Sequence, residues 1–490
     1  MRSRFSLPVS GAILFIFLLV FPAAAQVTAK EAWRDLRGQA RDLGVMIASQ
    51  SVTDYGTSLV AQNVRFFAQD DPAAVVIEMP ELRVEPRGDA VALIPSPQFT
   101  IRGQPAPNDT FVISVTHSGE ILLALTDDRI ALDLVFGQVS ATLTEASRAG
   151  QRQDASFQVM FDGFNGSARV EREGSVDVAL ESRTTRYAFA FQDSAGDQRA
   201  DARIDGLRFD LAGAEWDMLS DEVGSLRAAF DAGFFARLMM STAASSGRST
   251  QTLDGAQIAV NSTGGGSDFV LDISQGAVSL EASASAVELS GRMAPYSGSG
   301  RLDEIGLRAG APLLATAQDA RFFYGVNFTG LSLSPEMMAM MGATDLGTEP
   351  ITLIADVSAL GRLTQDLGPE FGQGSAPPLD LTTVSLDRLE ASIGGAQLTG
   401  GGAFAFLGGM LASMDAPVPN GTGDFVFELI GGDALLTRLG AMGLIPPEQQ
   451  FVARMMMNGL GRPIGDDQLR SEVAIRPGGV VSVNGAPLPF

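Results

Sequence analysis

Much of this chain alternates between apolar and polar positions. Phe157, Val159 and Phe161 stand between Gln158 and Met160, and Val176, Val178 and Leu180 between Asp177 and Ala179. Tyr187, Phe189 and Phe191 repeat the pattern, as do Phe425, Phe427 and Leu429 against Val426 and Glu428. A period of two lines each set along one face of a half-buried strand. This period takes over from about Thr57. In residues 278–290 it runs clean through Ser285, then slips by one at Ala286-Val287 before Glu288-Leu289-Ser290. Such a slip is what a β-bulge produces, and bulges bend strands. Ile204-Asp205-Gly206-Leu207, Leu253-Asp254-Gly255-Ala256 and Phe328-Thr329-Gly330-Leu331 share an apolar residue, a polar residue, glycine and resumed alternation. Leu302-Asp303-Glu304-Ile305-Gly306 is a looser relative. Their uneven spacing fits a meander kinked at glycine better than a strict solenoid.

Helical periods interrupt the alternation. Thr28 and Glu31 read as a capping box, followed by Trp33, Leu36, Ala40, Leu43 and Ile47 at steps of three and four. Leu226, Phe230, Phe234 and Leu238 predict a helix over residues 220–240, and the Ser-rich residues 243–251 read as a loop. A short helix is expected over residues 335–341. Near the end, Asp433 can cap a helix carrying Leu435, Leu436 and Leu439 that stops near Gly443. Pro446-Pro447-Glu448 starts another, with Phe451, Val452, Met455 and Met456 as its apolar face. Val481 and Val483 then lead into Asn484-Gly485, a strong hairpin signal, and residues 486–490 return as a short strand.

The expected architecture is a β-rich α+β protein. It is a long curved antiparallel sheet, a meander, with helices at the N-terminus, mid-chain and in a C-terminal helical hairpin. The segments read as a leader (1–25), an amphipathic helix (26–50), a β-meander with helical insertions (51–367), and C-terminal strands plus the hairpin (368–490), continuous with the same sheet. The Gly- and Pro-rich residues 368–378 are the candidate linker.

The leader sets the compartment. Arg2 and Arg4 precede an apolar run densest from Ile13 to Phe21, then Pro22 and Ala23-Ala24-Ala25 before Gln26. This is the three-part pattern of a secretory signal peptide. A retained anchor is the alternative, but the run is shorter than the ~20 residues that span a bilayer. No later stretch reads as a transmembrane helix. The chain is therefore expected in the periplasm of a Gram-negative envelope.

Charge and composition narrow the chemistry. Asp+Glu number 57 against 34 Lys+Arg, a net charge of −23. Such a surface repels phosphate backbones and anionic headgroups, which argues against nucleic-acid binding and polybasic membrane docking. There is no cysteine, hence no disulfide, no thiolate nucleophile and no cysteine metal site. The single histidine, His117, is read as a strand-end residue, and one histidine cannot build a multi-histidine zinc site. No P-loop, nucleophile elbow or dinucleotide fingerprint occurs. Asp70-Asp71, Asp127-Asp128 and Asp466-Asp467 are neighbours that point apart on a strand, and read as turn residues. The Gly264-Gly265-Gly266-Ser267-Asp268-Phe269 run is too short for a calcium β-roll repeat and occurs once. The expectation is no enzyme, no cofactor and no metal.

Methionine is the distinctive enrichment. Met337, Met338, Met340 and Met341 cluster on one expected helix, Met455, Met456 and Met457 on another, and Met239-Met240 end a third. Thioether chains adapt to varied apolar partners. These helices are either covers for a lipid-tail groove or gap-fillers at a helix–sheet interface. Met337, Met338, Met340, Met341, Met455 and Met456, with Phe404 and Phe406 of an alternating strand, are the candidate apolar-ligand residues.

The run Leu439-Gly440-Ala441-Met442-Gly443-Leu444-Ile445-Pro446-Pro447-Glu448, with Ala453-Arg454-Met455-Met456 and Gly479-Val480-Val481-Ser482-Val483-Asn484-Gly485, resembles the domain of unknown function 2125 of exported alphaproteobacterial proteins. The ending is also similar to β-rich, AsmA-like envelope proteins. The resemblance implies a fold and an envelope setting, and for some larger relatives the movement of phospholipid; it carries over no catalytic residue.

Three readings follow. The first is a non-enzymatic envelope protein offering a concave apolar face to lipid or another apolar ligand. The second is an outer-membrane β-barrel, favoured by the terminal Phe490 but opposed by the helices and by only 2 Trp and 4 Tyr for aromatic girdles. The third is a structural or partner-binding envelope component without ligand, with an envelope protein as the candidate partner. A carboxylate hydrolase has no positive motif. Intact-mass analysis of periplasmic material is expected to place the mature N-terminus at or within a few residues of Gln26. A Met1 start would show a retained leader.

Overall fold

A computed structural model describes residues 28–42, 44–88, 90–125, 129–171, 174–193, 196–214, 225–253, 255–367, 378–413 and 419–488. The leader, Leu43, Asp127-Asp128, most of the candidate linker and Phe490 lie outside the described residues. The chain is a β-rich α+β protein of antiparallel strands in meander order. It divides into two units, one of residues 1–216 and 238–259, the other of residues 217–237 and 260–490.

The first unit opens with helix α1 (Ala29–Asp42). Its capping box is formed. The Thr28 N–H donates to the Glu31 carboxylate at 3.1 Å, and the Glu31 N–H donates to the Thr28 hydroxyl at 3.3 Å. The Thr28 hydroxyl also donates to Glu31, and these bonds hold the Glu31 carboxyl below its ordinary pKa. Ala29, Ala32, Trp33, Leu36 and Ala40 are buried on one face against strands Val45–Ala48, Leu59–Ala68 and Val75–Arg87. Ile47, expected on the helix, is buried on strand Val45–Ala48 instead. The left-handed Gly44 turns the chain out of the helix three residues before it.

The rest of the unit runs through strands Ala90–Pro95, Gln98–Ala106, Asp109–Leu125, Arg129–Arg148, Ala155–Glu171, Val176–Asp193 and Gly196–Ala214. Strand Val75–Arg87 pairs with both of the first two, and both pair with Asp109–Leu125. Leu59, Val64, Val84 and Leu123 are the most deeply buried large side chains. The core takes residues of both parities from one strand: Leu132 from one half of Arg129–Arg148, and Val139 and Ala141 from the other. Gly137 is an extra residue in this strand, because Gln138 faces Ser118 and Phe136 faces Gly119 of the partner strand, and it returns the apolar positions to the same face.

The glycine signature marks such kinks. Gly206 and Gly330 both adopt left-handed backbone inside strands, at φ 63° and 73°. A side chain at Gly330 would collide with Asp303. Gly255 is also left-handed, but lies in the turn between strands Ala244–Leu253 and Ala256–Gly264. The slip at Ala286 is a local left-handed kink, with φ 49°. It adds no residue against the next strand, since Ser285 faces Glu304 and Val287 faces Leu302.

Two expectations in the middle of the chain are corrected. The helix expected over residues 220–240 is, within its described part, the short α2 (Leu226–Asp231), capped by Ser225. Gly233, at φ 103°, ends it, and Phe235–Thr242, including Met239 and Met240, is a strand. The Ser-rich loop is strand Ala244–Leu253, paired with Gly196–Ala214 from Gln198↔Gln251 to Asp205↔Ala244. Backbone pairing along a long neighbour outweighs the weak strand preference of small polar residues.

His117 is a mid-strand residue, not a strand end. It faces Val139 and lies between the rings of Phe99 and Phe136, with centroids at 5.8 and 5.3 Å. Its Nε2 lies 2.9 Å from the Ser96 carbonyl oxygen.

The second unit is a run of antiparallel neighbours: Ser267–Ser274, Ala277–Met293, Tyr296–Pro312, Ala320–Leu333, Ile351–Leu363, Leu379–Ile393, Ala396–Phe406, Gly421–Ile430, Gln468–Arg476 and Val480–Val483. The strands on either side of residues 368–377 pair with each other. Helix α3 (Pro335–Met340) follows strand Ala320–Leu333. Helices α4 (Gly432–Ala441) and α5 (Pro447–Leu460) form the expected hairpin, inserted between two strands that remain paired. The cap of α4 is not Asp433. Asp467 supplies it, its carboxylate accepting from the N–H groups of Asp433 and Ala434 at 2.9 and 3.0 Å, while Asp433 pairs with Arg454. Asn484 and Gly485 both take positive φ, as a two-residue hairpin turn requires.

His117 yields a pH test. Burial pushes its imidazole below the ordinary value of 6.5, against the opposing hydrogen bond to Ser96. The folded protein therefore binds fewer protons than the unfolded chain just below pH 6.5. The stability that His117 contributes is complete above that pH and is lost as pH falls through 6.5 toward the folded value. His117→Phe keeps a ring in the cluster and removes the titration. Urea midpoints measured between about pH 5 and 8 are expected to fall less steeply toward acid in the variant. Equal slopes would contradict this.

Candidate functional site

Register sorts the second unit's sheet into two faces, because paired residues project to the same side and neighbours in sequence to opposite sides. One cross-strand row reads Val278, Ala311, Phe322, Ala359, Val384 and Phe404. The next reads Leu280, Ala309, Tyr324, Val357, Leu386 and Gly402. The one beyond it reads Ala282, Leu307, Val326, Ala355, Leu389 and Gly400. No charged residue stands in these rows.

The opposite face is polar and ion-paired. Arg308 meets Asp356 at 2.8 Å, Arg388 meets Glu390 at 2.7 Å, and Arg470 meets Glu428 at 2.8 Å. A groove of about 420 Å³ on this side is lined by Asp268, Glu281, Glu304, Arg308, Asp356 and Arg388, among others. No group of residues among those described is arranged to hold a metal ion.

The apolar face is not closed off. In the first unit the corresponding residues are buried with α1 in one extended core. In the second unit the buried apolar cluster is small, with Met338, Ala343 and Leu346 packed by Leu333, Leu435, Leu439 and Met442. Along the rows most residues are half-buried, and Tyr324 and Val357 remain 53 % and 37 % exposed. A groove of about 390 Å³ opens here. Ala309 and Ala311 give it a shallow floor between Val278 and Leu280 on one side and Phe322 and Tyr324 on the other, and Ala359 is a second low point beside Phe322, next to Val357 on the strand beyond. Small residues beside bulky ones in a sheet leave a trough that apolar atoms can fill, and an apolar surface of this extent is unfavourable in water.

The sequence-derived candidates distribute themselves around this face. Phe404 and Phe406 lie on it, with ring centroids 4.8 Å apart and edge to face. Phe404 is buried because Gly421 and Gly423 of the next strand leave room for its ring. Met338 is buried in the small cluster that joins α3 to α4, and Met337 is half-buried against Gly298. Met340 and Met341 are exposed, as are Met455 and Met456 on α5. None of the eight lines the groove. On α5 the expected apolar face, Phe451, Val452, Met455 and Met456, points outward, with Phe451 69 % exposed. The groove residues themselves went unrecognised in the sequence. Each sits in an ordinary alternating strand, and only the register brings them together.

No family model, curated protein or solved structure matches the chain. No helix among the described residues is long and apolar enough to cross a membrane.

The methionines can be separated by stability. Met338→Ala removes a buried side chain and is expected to cost about 2–5 kcal/mol, whereas Met455→Ala and Met456→Ala should stay within about 0.5 kcal/mol of the parent. Urea titrations read the difference. Large losses at Met455 or Met456 would show that α5 is packed on that side.

Proposed function

We propose that this chain is a non-enzymatic envelope protein, exported to the periplasm, that binds lipid acyl chains on the apolar face of its second unit. The observation that carries this reading is an uncharged face running across many paired strands and left half-exposed, with an alanine-floored groove in it. An acyl chain laid there removes apolar surface from water on both partners. Each CH₂ so buried contributes about 0.8 kcal/mol, enough for one chain to be held firmly. The export signal, the single histidine and the lack of cysteine fit an envelope protein that works by burial and not by chemistry. The likeness of the C-terminal hairpin and final strands to the domain of unknown function 2125 family, with its AsmA-like character, points the same way at the level of fold.

A partner-binding role without lipid is the second reading. It is favoured by the outward stripe of α5, which is an anchor of the helix-in-groove kind.

Mass spectrometry of organic extracts tests the proposal, on protein purified without detergent and beside a β-rich control of similar size. At least one lipid per chain is expected, lost in Ala309→Trp and Ala359→Trp variants that keep the parent's circular dichroism. Absence of stoichiometric lipid from the folded parent would overturn the reading and favour the partner-binding one.

A further inference from the structure

We infer that the lipid taken by this face carries a zwitterionic or uncharged headgroup, and that anionic lipids are rejected. This inference rests on the acyl-chain reading above and adds the class of headgroup to it.

Two observations carry it. The first is local. The strands framing the groove hold arginines, but alternation places them on the other side of the sheet. Arg308 and Arg388 flank the polar groove, while Val278, Leu280, Ala309, Tyr324, Val357 and Ala359 line the apolar one. These arginines are also engaged. Arg308 is paired with Asp356 at 2.8 Å, Arg362 with Asp380 at 3.0 Å, and Arg388 with Glu390 at 2.7 Å. Arg321 lies over the Phe323 ring, 5.9 Å from its centroid. Arg292 stands at the end of its strand away from Val278 and Leu280. Where the strands Tyr296–Pro312 and Ile351–Leu363 end, Arg227 of α2 is committed as well. It donates to Asp366 at 3.0 Å and to the Ala315 carbonyl at 2.7 Å. Among the described residues of these strands near the groove, Arg321 alone has no carboxylate partner, and alternation places it with Phe323 on the opposite face, so a phosphate or carboxylate headgroup on the apolar face finds no guanidinium on its own side to replace its water.

The second observation is global. The chain has a net charge of −23 and a single lysine, Lys30, which lies on α1 of the other unit. An anionic headgroup approaches against that field, while the ammonium of a zwitterionic headgroup is drawn by it and offsets its phosphate. Exclusion of this kind is electrostatic, so it weakens as salt shortens the screening length, from about 10 Å at 0.1 M to about 3 Å at 1 M.

The experiment is a binding titration of the purified mature chain with two fluorescent phospholipids of identical acyl chains. One carries phosphocholine, the other phosphoglycerol. At low ionic strength the phosphocholine lipid is expected to bind at least tenfold more tightly, and the gap is expected to close as salt approaches 1 M. Equal or tighter binding of the phosphoglycerol lipid at low salt would overturn the headgroup inference and leave the acyl-chain reading standing. Failure of both lipids to bind at every salt concentration would overturn the acyl-chain reading itself, and this inference with it.

Discussion

Cross-strand register in the second unit is the constraint on which the rest depends. Antiparallel pairing satisfies the backbone hydrogen bonds, and once it is fixed, every side chain is assigned to a face. Val278 opposite Ala311, Phe322 opposite Ala359 and Val384 opposite Phe404 then become one apolar row. Asp356 and Arg388 become neighbours on the other face. A slip of one residue between two strands would set apolar side chains against polar ones across the whole contact, Arg388 beside Ala355 among them. The ion pairs of the polar face add little stability each, since they are largely exposed, but they penalise that slip.

The two units use the same pairing to different ends. In the first, α1 and branching strands close over the apolar face, and residues such as Leu59, Val64 and Val84 lose all contact with water. In the second, the helices seal only the surroundings of Met338 and Leu346, and the rows from Val278 to Leu386 stay half-open. An unfilled apolar face is costly in a protein that has no disulfide to offset it. On the proposed reading, a ligand that covers the face would supply the missing burial.

The strands were legible because alternation is a direct imprint of one-sided burial. Tyr187, Phe189 and Phe191, and Phe425 and Phe427, lie in strands as their spacing requires. The kinks at Gly206 and Gly330 were legible too, since an alternation that resumes after glycine needs a residue free to turn left-handed. Residues 235–253 were misread because apolar residues at helical spacing and small polar residues do not reveal a strand whose stability comes from its neighbours. The capping of α4 by Asp467 was hidden for a similar reason: its partner is more than thirty positions away. The groove was the least visible feature. Ala309 and Ala359 carry no chemical signal, and they matter only because the register sets Ala309 between Leu280 and Tyr324 and Ala359 beside Phe322.

The absence of cysteine makes the central claim open to a direct measurement, because any introduced thiol is unique in the chain. Ala359→Cys places a thiol in the groove, and Ser358→Cys, although Ser358 also borders the groove, projects its side chain from the opposite face by alternation. The rate of modification by a thiol reagent is measured for each, in lipid-free protein and after addition of a zwitterionic lipid. The account predicts that both thiols react in the lipid-free protein, and that lipid slows the reaction at position 359 at least tenfold while leaving position 358 unchanged. A thiol at 359 that is already inaccessible without lipid, or that reacts at the same rate with and without it, would contradict the account.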